Sequence, residues 1–190
     1  MNFLEIKNSK KFEKNYRIFF DFINFNIQDS IFKLFGFNFF LDFLKVNHSK
    51  SFYIERNKRI IGYISYIDSF SEKKLKNLII KFIIRKPFFL LLIVSRYLNF
   101  FFKFHKPPKN YLQLLHLIIN LNDCENNFLR KKIHLKIDSL NKKICKLNKF
   151  KGIYAMFHRK NNRAANYYKK NNYILYDKNF FFYFVKKEIR

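Results

Sequence analysis

The chain has 190 residues, a length that suits one domain with a sizeable hydrophobic core. Its 39 Lys and Arg residues outnumber 13 Asp and Glu residues and give a formal net charge of +26, while 49% hydrophobic residues exclude a disordered polyelectrolyte. No linker rich in Gly, Ser or Pro interrupts the sequence, so we predict a single domain over residues 1–190.

The positive charge has two explanations, and the sequence leaves both open. A nucleic acid, a membrane surface or another anionic partner would favour Lys and Arg. However, Lys, Asn, Phe, Ile and Tyr are all abundant, and these residues have codons built from A and T alone, so a base-biased genome would give this composition to any enzyme. Under such a bias we expect the few glycines, among them Gly62 and Gly152, to be retained for steric reasons.

The cysteine, histidine and apolar patterns predict neither a metal site nor a membrane span. Cys124 and Cys145 accompany no ligand spacing, and two cysteines fit a reduced, cytoplasmic setting. Residues 78–104 are the most apolar, but their longest uncharged run (87–95) is shorter than the roughly 20 residues that a spanning helix needs. A basic aromatic helix lying on an anionic bilayer remains an alternative for this region.

The first third of the chain predicts a strand, two helices and a β-hairpin. The strand falls on residues 2–7. Apolar side chains at mixed spacings of three and four residues over 9–47 predict two helices, with a joint near Asp29 and a weak point at Gly36. Residues 51–67 predict a hairpin in which two apolar runs flank a polar turn.

The rest of the chain predicts helices and strands in alternation. Two apolar helices divided at Pro87 are predicted over 71–104. Apolar residues that recur at intervals of three and four predict an amphipathic helix over 127–147. Its predicted buried positions are Leu129, Ile133, Ile137, Leu140, Ile144 and Leu147. Strands are predicted over 110–120 and 152–157, a helix over 161–171, and two final strands over 173–187.

A motif in the last predicted helix stands out from the biased composition. It has the spacing N-x-x-A-x-x-x-Y-x-x-x-G/N-F/Y, and its residues are Asn161, Ala164, Tyr168, Asn172 and Tyr173. This spacing resembles the fourth-helix motif of the GNAT (Gcn5-related) N-acetyltransferase superfamily, with Asn172 where the family usually has Gly. The order of predicted elements is also similar to that of the superfamily, apart from a longer helical connection over 71–104.

The resemblance implies the fold class and the place of the cofactor. It implies an α/β (α+β) domain with a mixed, mostly antiparallel sheet, helices on both faces, and 71–104 as an extra helical insertion. The two central strands would splay apart and accept acyl-CoA, normally acetyl-CoA. Backbone groups of Leu117, Ile118, Ile119 and Asn120 would then pair with the pantetheine arm.

The turn that would bind the pyrophosphate departs from the family pattern. Family members use glycines before a helix, whose free N–H groups bind the phosphates. At this place the chain has residues 124–129, so Asn127 would replace the first Gly in a left-handed conformation and Leu129 falls at the second. Arg130, Lys131 and Lys132 would supply compensating charge, or would simply form the solvated face of the helix.

The resemblance also suggests roles for individual side chains. Tyr168 would protonate the departing thiolate, or would pack on the sheet through its ring. Asn161 would contact the pantetheine arm or cap the helix. No general base is assigned: Gln113 lies where some relatives carry Glu, and His116 and Glu55 are candidates only by location.

The leading hypothesis is an acyl-CoA-dependent N-acyltransferase that transfers acetyl to a primary amine by direct attack. The acceptor would be a small-molecule or protein amine, and the basic surface favours an anionic one. A non-catalytic nucleic-acid-binding or membrane-surface protein on a GNAT-derived fold is the alternative.

Overall fold

The computed structural model describes residues 4–8, 16–26, 31–47, 50–85, 108–120, 127–178 and 182–189. Seven strands form one sheet in the order β1-β2-β3-β4-β5-β7-β6. The strands are β1 (Leu4–Asn8), β2 (Ser51–Arg56), β3 (Arg59–Ile67), β4 (Tyr111–Ile119), β5 (Gly152–His158), β6 (Ile174–Lys178) and β7 (Phe182–Glu188). β4 and β5 are parallel, and the other neighbours are antiparallel.

Helices cover both faces of this sheet. They are α1 (Tyr16–Asn26), α2 (Ile31–Phe35), α3 (Phe37–Asn47), α4 (Ser69–Arg85), α5 (Asn127–Leu147) and α6 (Asn162–Lys170). On one face, α1 to α4 bury a cluster dominated by Phe and Tyr rings. On the other face, α5 and α6 bury a cluster of Ile, Leu and Tyr side chains. The mixed, mostly antiparallel sheet with helices on both faces is the predicted fold class.

Turn residues replace glycine at several tight positions of this fold. Asn57 and Lys58 join β2 to β3 with φ angles of 49° and 62°, as a two-residue hairpin turn requires. Gly152 was retained for the predicted steric reason, because a Cβ there would lie 2.1 Å from the Lys187 carbonyl oxygen. Backbone crowding therefore explains this glycine, whereas Asn and Lys provide left-handed turns elsewhere.

The sequence predictions need correction in two places. The segment before β2 contains α1, α2 and α3 rather than two helices, because Gly36, with φ of 85°, separates α2 from α3. Leu147 was predicted to be buried but is 71% exposed, because it is the last residue of α5.

Part of the predicted insertion is described. α4 is its first helix, and residues 86–107, with the predicted division at Pro87, lie outside the described residues. None of the helices in the described ranges combines the length and the apolar composition needed to cross a membrane.

Candidate active site

The two central strands are paired along only part of their length. Residues 111–114 of β4 pair with residues 152–155 of β5. Beyond these pairs, β4 continues in register with β3, and β5 continues in register with β7. The described strands therefore diverge beyond these pairs, and we call the unpaired region between 115–119 and 156–158 the slot.

A β-bulge in β4 explains where the strands separate. Ser65 of β3 pairs with His116 and Tyr66 pairs with Leu114, so Leu115 is an extra residue in β4. A bulge bends its strand and increases the local twist. Because Leu114 is also the last β4 residue paired with β5, the bend directs the rest of β4 away from β5.

Backbone direction distinguishes the residues along the β4 side of the slot. The N–H of Asn120 donates to the carbonyl oxygen of Ile61 in β3 at 2.9 Å. Since N–H groups alternate in direction along a strand, the N–H of Ile118 also faces β3, whereas those of Leu117 and Ile119 face the slot. Leu117 and Ile119 therefore fit the predicted backbone contacts with a pantetheine arm better than Ile118 and Asn120 do.

The motif helix α6 begins with a side-chain cap. The Oδ1 atom of Asn161 accepts a hydrogen bond from the N–H of Ala164 at 3.0 Å. An Asn at this position satisfies one of the N–H groups that a helix leaves without an internal partner. Of the two predicted roles of Asn161, capping is observed, and the contact with a pantetheine arm stays a prediction.

The same helix ends in a Schellman motif, which explains the unusual Asn172. The N–H of Tyr173 donates to the Tyr168 carbonyl oxygen at 3.0 Å, and the N–H of Asn172 donates to the Lys169 carbonyl oxygen at 3.2 Å. Asn172 has the left-handed φ of 60° that this motif needs and that Asn tolerates better than most residues. The rings of Tyr168 and Tyr173 make the accompanying apolar contact, with centroids 4.9 Å apart.

These contacts fix Tyr168 beside the slot. Its ring stacks on Phe157 with centroids 5.1 Å apart, and Phe157 belongs to the part of β5 that has separated from β4. The Tyr168 side chain is 7% exposed, and burial raises the pKa of its phenol well above the ordinary range. The phenol is therefore a neutral hydrogen-bond donor at physiological pH, and its ring also packs in the core.

The start of α5 only partly fits the predicted phosphate turn. Asn127 is the first residue of the helix and does not have the left-handed φ predicted for it, which is a correction. Leu129 packs into the core with Ile133, so only its backbone can contact a ligand at the helix start. Arg130 and Lys131 are exposed in the first helical turns. The preceding residues 121–126 lie outside the described residues.

His116 lies on β4 just past the bulge, with its ring against aromatic side chains. Its Nδ1 atom is 2.7 Å from the Ser65 Oγ atom, and its ring contacts Phe32, Phe43 and Tyr63 at centroid distances of 5.4 to 6.3 Å. Burial lowers the pKa of His116 from 6.5 to about 4. The imidazole is neutral at physiological pH but has little affinity for a proton, which makes it a poor general base.

The other candidate bases lie in less suitable places. Glu55 forms an ion pair with Lys7 at 2.9 Å on the outer strands of the sheet. Gln113 is buried in the paired part of β4. Within the described residues no group of His, Cys, Asp and Glu could hold a metal ion.

Sequence reasoning missed Leu115 and Phe157, which determine the shape of the slot and the position of Tyr168. The two consecutive apolar residues Leu114 and Leu115, followed by a polar residue, were the only sign of a bulge, and such a run is equally typical of a strand buried on both faces. Phe157 carried no signal, because it is one of 28 phenylalanines.

Comparisons with known proteins agree with this geometry at the level of the fold. No family model and no curated protein matches the sequence. The N-acetyltransferase PseH of Campylobacter jejuni, solved with acetyl coenzyme A, is 14% identical, with a TM-score of 0.56 over 98% of this chain and 99% of that chain. The PaiA N-acetyltransferase of Thermoplasma acidophilum, solved with coenzyme A, is 14% identical, with a TM-score of 0.57 over 98% and 99%.

A third similar structure is the ribosomal-protein-S18-alanine N-acetyltransferase of Escherichia coli. It is 8% identical, with a TM-score of 0.55 over 100% of this chain and 94% of that chain. At such identities the likeness concerns the fold, and the chain has the fold of the GNAT N-acetyltransferases. Activity must be argued from the site itself.

Proposed function

We propose that the protein is an acyl-CoA-dependent N-acyltransferase that transfers acetyl from acetyl-CoA to a primary amine. The observation that carries the proposal is the divergence of β4 and β5 beside Tyr168. In a closed sheet, the N–H groups of Leu117 and Ile119 would pair with β5, so here they are directed at an occupant of the slot. Two similar structures were solved with acetyl coenzyme A or coenzyme A.

The residues at the slot fit such a co-substrate. An extended pantetheine arm presents amide groups that can pair with the backbone of Leu117 and Ile119. The start of α5 has no acidic residue in its first turn, and Arg130 and Lys131 lie there, so it suits the phosphates by charge. We assign Asn127 and Leu129 contacts through the helix backbone, and Asn161 a contact at the start of α6.

Tyr168 is assigned the general acid. Acetyl-CoA supplies an activated thioester, so direct attack by a neutral amine forms the C–N bond and breaks the C–S bond, and the sulfur leaves with the electron pair. The Tyr168 phenol would donate its proton toward that sulfur. Burial keeps the phenol protonated, and the same apolar surroundings raise the proton affinity of the leaving thiolate. Water is assigned as the carrier of the amine proton to the Tyr168 oxygen, which restores the phenol, so the step releases no net proton.

The test is calorimetry with acetyl-CoA, followed by turnover measured as thiol release with a panel of amines. Tyr168→Phe should retain acetyl-CoA affinity and lower kcat by about 100-fold, since general acids typically contribute factors of this size. The matched control is Tyr167→Phe, because the neighbouring ring faces His134 on α5 and should leave kcat within about twofold of the unchanged protein.

Two results would contradict the proposal in different ways. A folded protein that does not bind acetyl-CoA would remove the acyltransferase function altogether. Equal kcat values for Tyr168→Phe and Tyr167→Phe would leave the function standing and would remove the acid role of Tyr168.

A further inference from the structure

The positive charge is distributed unevenly between the two faces of the sheet. Helices α1 to α4 carry eight Lys or Arg residues and three acidic residues, whereas α5 and α6 carry ten Lys or Arg residues and a single acid. A codon bias adds Lys to every helix, but the ratio of cations to acids still differs, from eight to three on one face to ten to one on the other.

Ion pairing increases the contrast between the faces. All three acids of α1 to α4 lie in pairs within their own helix, in Arg17–Asp21 at 3.4 Å, Lys45–Asp42 at 3.1 Å and Lys76–Glu72 at 3.0 Å. The single acid of α5 and α6, Asp138, is engaged by Lys187 of β7 and, at 3.8 Å, by Lys142. Asp138 is the single acid on these two helices, and Lys142 is the cation of α5 that pairs with it.

The helices that carry these cations lie on the same face of the sheet. α5 and α6 pack side by side, with the rings of His134 and Tyr167 5.1 Å apart, and both bury their apolar side chains in the same core. The remaining faces of both helices point outward. We define the α5–α6 face by six exposed cations that have no assigned role at the slot: Lys142, Lys143, Lys146, Arg163, Lys169 and Lys170.

We propose that the α5–α6 face binds the phosphate backbone of a nucleic acid strand, separately from acyl transfer. Exposed Lys and Arg side chains on two neighbouring helices are complementary to a regularly charged polyanion.

A bilayer fits this face less well. A helix that lies on a membrane inserts an apolar face between the headgroups. The apolar face of α5 is already buried against the sheet, and its large exposed apolar side chains are Phe128, Leu135 and Leu147. Among the described residues of this surface, these three are widely spaced and do not form the apolar stripe that bilayer insertion requires.

The experiment measures fluorescence anisotropy of labelled 20-nucleotide RNA and DNA strands of mixed sequence across a salt series. Lys143→Gln/Lys146→Gln/Lys169→Gln removes three charges from the α5–α6 face, and Lys73→Gln/Lys81→Gln/Arg85→Gln removes three from α4 as the matched control. The first triple variant should lower the slope of log affinity against log salt by about 2 units, at about 0.7 for each lost phosphate contact. The control should leave this slope unchanged.

Several outcomes would overturn the proposal. Equal losses in both triple variants would show that total charge, rather than this face, attracts the strand. Failure of the unchanged protein to bind either strand, or binding only to vesicles that contain an anionic lipid, would also reject it. A preference for RNA or for DNA in the unchanged protein would support the proposal and identify the natural ligand. Calorimetry with acetyl-CoA should give the same affinity for both variants, so this surface and the acyltransferase function can fail independently.

Discussion

The paired and open halves of β4 and β5 differ in the side chains that they carry and in the regularity of the strands. In the paired half, a Cβ on Gly152 would collide with the Lys187 carbonyl oxygen of β7. In the open half, the bulge at Leu115 turns β4 away, and the rings of Phe157 and Tyr168 occupy the β5 side. The slot therefore results from the point at which pairing between β4 and β5 ends and from one extra residue in β4. No sequence motif encodes it.

The largest expected effect concerns the paired half. Gly152→Ala should destabilise the protein by about 3 kcal/mol or more, because the new methyl group would collide with the Lys187 carbonyl oxygen, which cannot move without breaking the β5–β7 ladder. The midpoint and slope of urea unfolding measure this change.

Gly62→Ala provides the matched control in a different strand pair. Its Cβ would lie 2.9 Å from the flexible end of Ile54 and 3.0 Å from the Ile118 carbonyl oxygen, so we expect a loss of about 1 kcal/mol. A Gly152→Ala protein as stable as Gly62→Ala would show that β5 and β7 are not in close contact.

The next largest effect concerns the open half and depends on pH. The pKa of His116 is about 4 in the folded protein and about 6.5 in the unfolded chain, so the unfolded state binds more protons between these values. Stability is therefore complete above pH 6.5 and should fall by about 2 kcal/mol between pH 7 and pH 5.

Urea unfolding at the two pH values of His116→Gln and of the unchanged protein checks this prediction. The variant should lose most of the pH dependence and retain the smaller part that comes from His134, whose pKa is also lowered by burial. An unchanged pH dependence in His116→Gln would mean that the imidazole is solvated and can accept a proton, which would restore it as a candidate base.

A smaller effect is expected at the ends of α5 and α6. Lys149 at the end of α5 and Asn172 at the end of α6 both have left-handed φ angles, of 56° and 60°. Lys149→Gly should stabilise the protein by about 1 kcal/mol and Asn172→Gly by less, because Asn tolerates this conformation better than Lys does. Thermal unfolding of both variants measures which substitution stabilises the protein more. A larger gain from Asn172→Gly than from Lys149→Gly would contradict the expectation that Asn tolerates the left-handed conformation better than Lys.

The smallest effect is expected at Tyr173. Its hydroxyl is buried with no hydrogen-bond partner among the described residues, so Tyr173→Phe should be neutral or should raise the unfolding free energy by up to about 1 kcal/mol. Tyr66→Phe is the control, because its hydroxyl donates to Asn141 Oδ1 at 2.6 Å and its loss should destabilise the protein. Equal losses in the two variants would reveal a bound partner of Tyr173.

Local patterns predicted much of the secondary structure because they depend on neighbours in the chain. The apolar spacing of α5, the hairpin of β2 and β3, and the boundaries of β4, β5 and α6 all follow from such patterns. Asn161 and Tyr168 were found by their spacing within one helix. The left-handed role of Asn127 was wrong, because it depended on a family pattern that the sequence does not follow at this turn.

The sequence by itself determined the elements, their order and the chemical character of the motif helix, since these depend on side chains a few residues apart. Only the tertiary structure decided where β4 and β5 separate, which backbone N–H groups face the slot, and that Phe157 supports Tyr168. The physical reason is that strand register and ring stacking join residues far apart in the chain, and a composition dominated by a few residue types gives such partners no distinguishing mark.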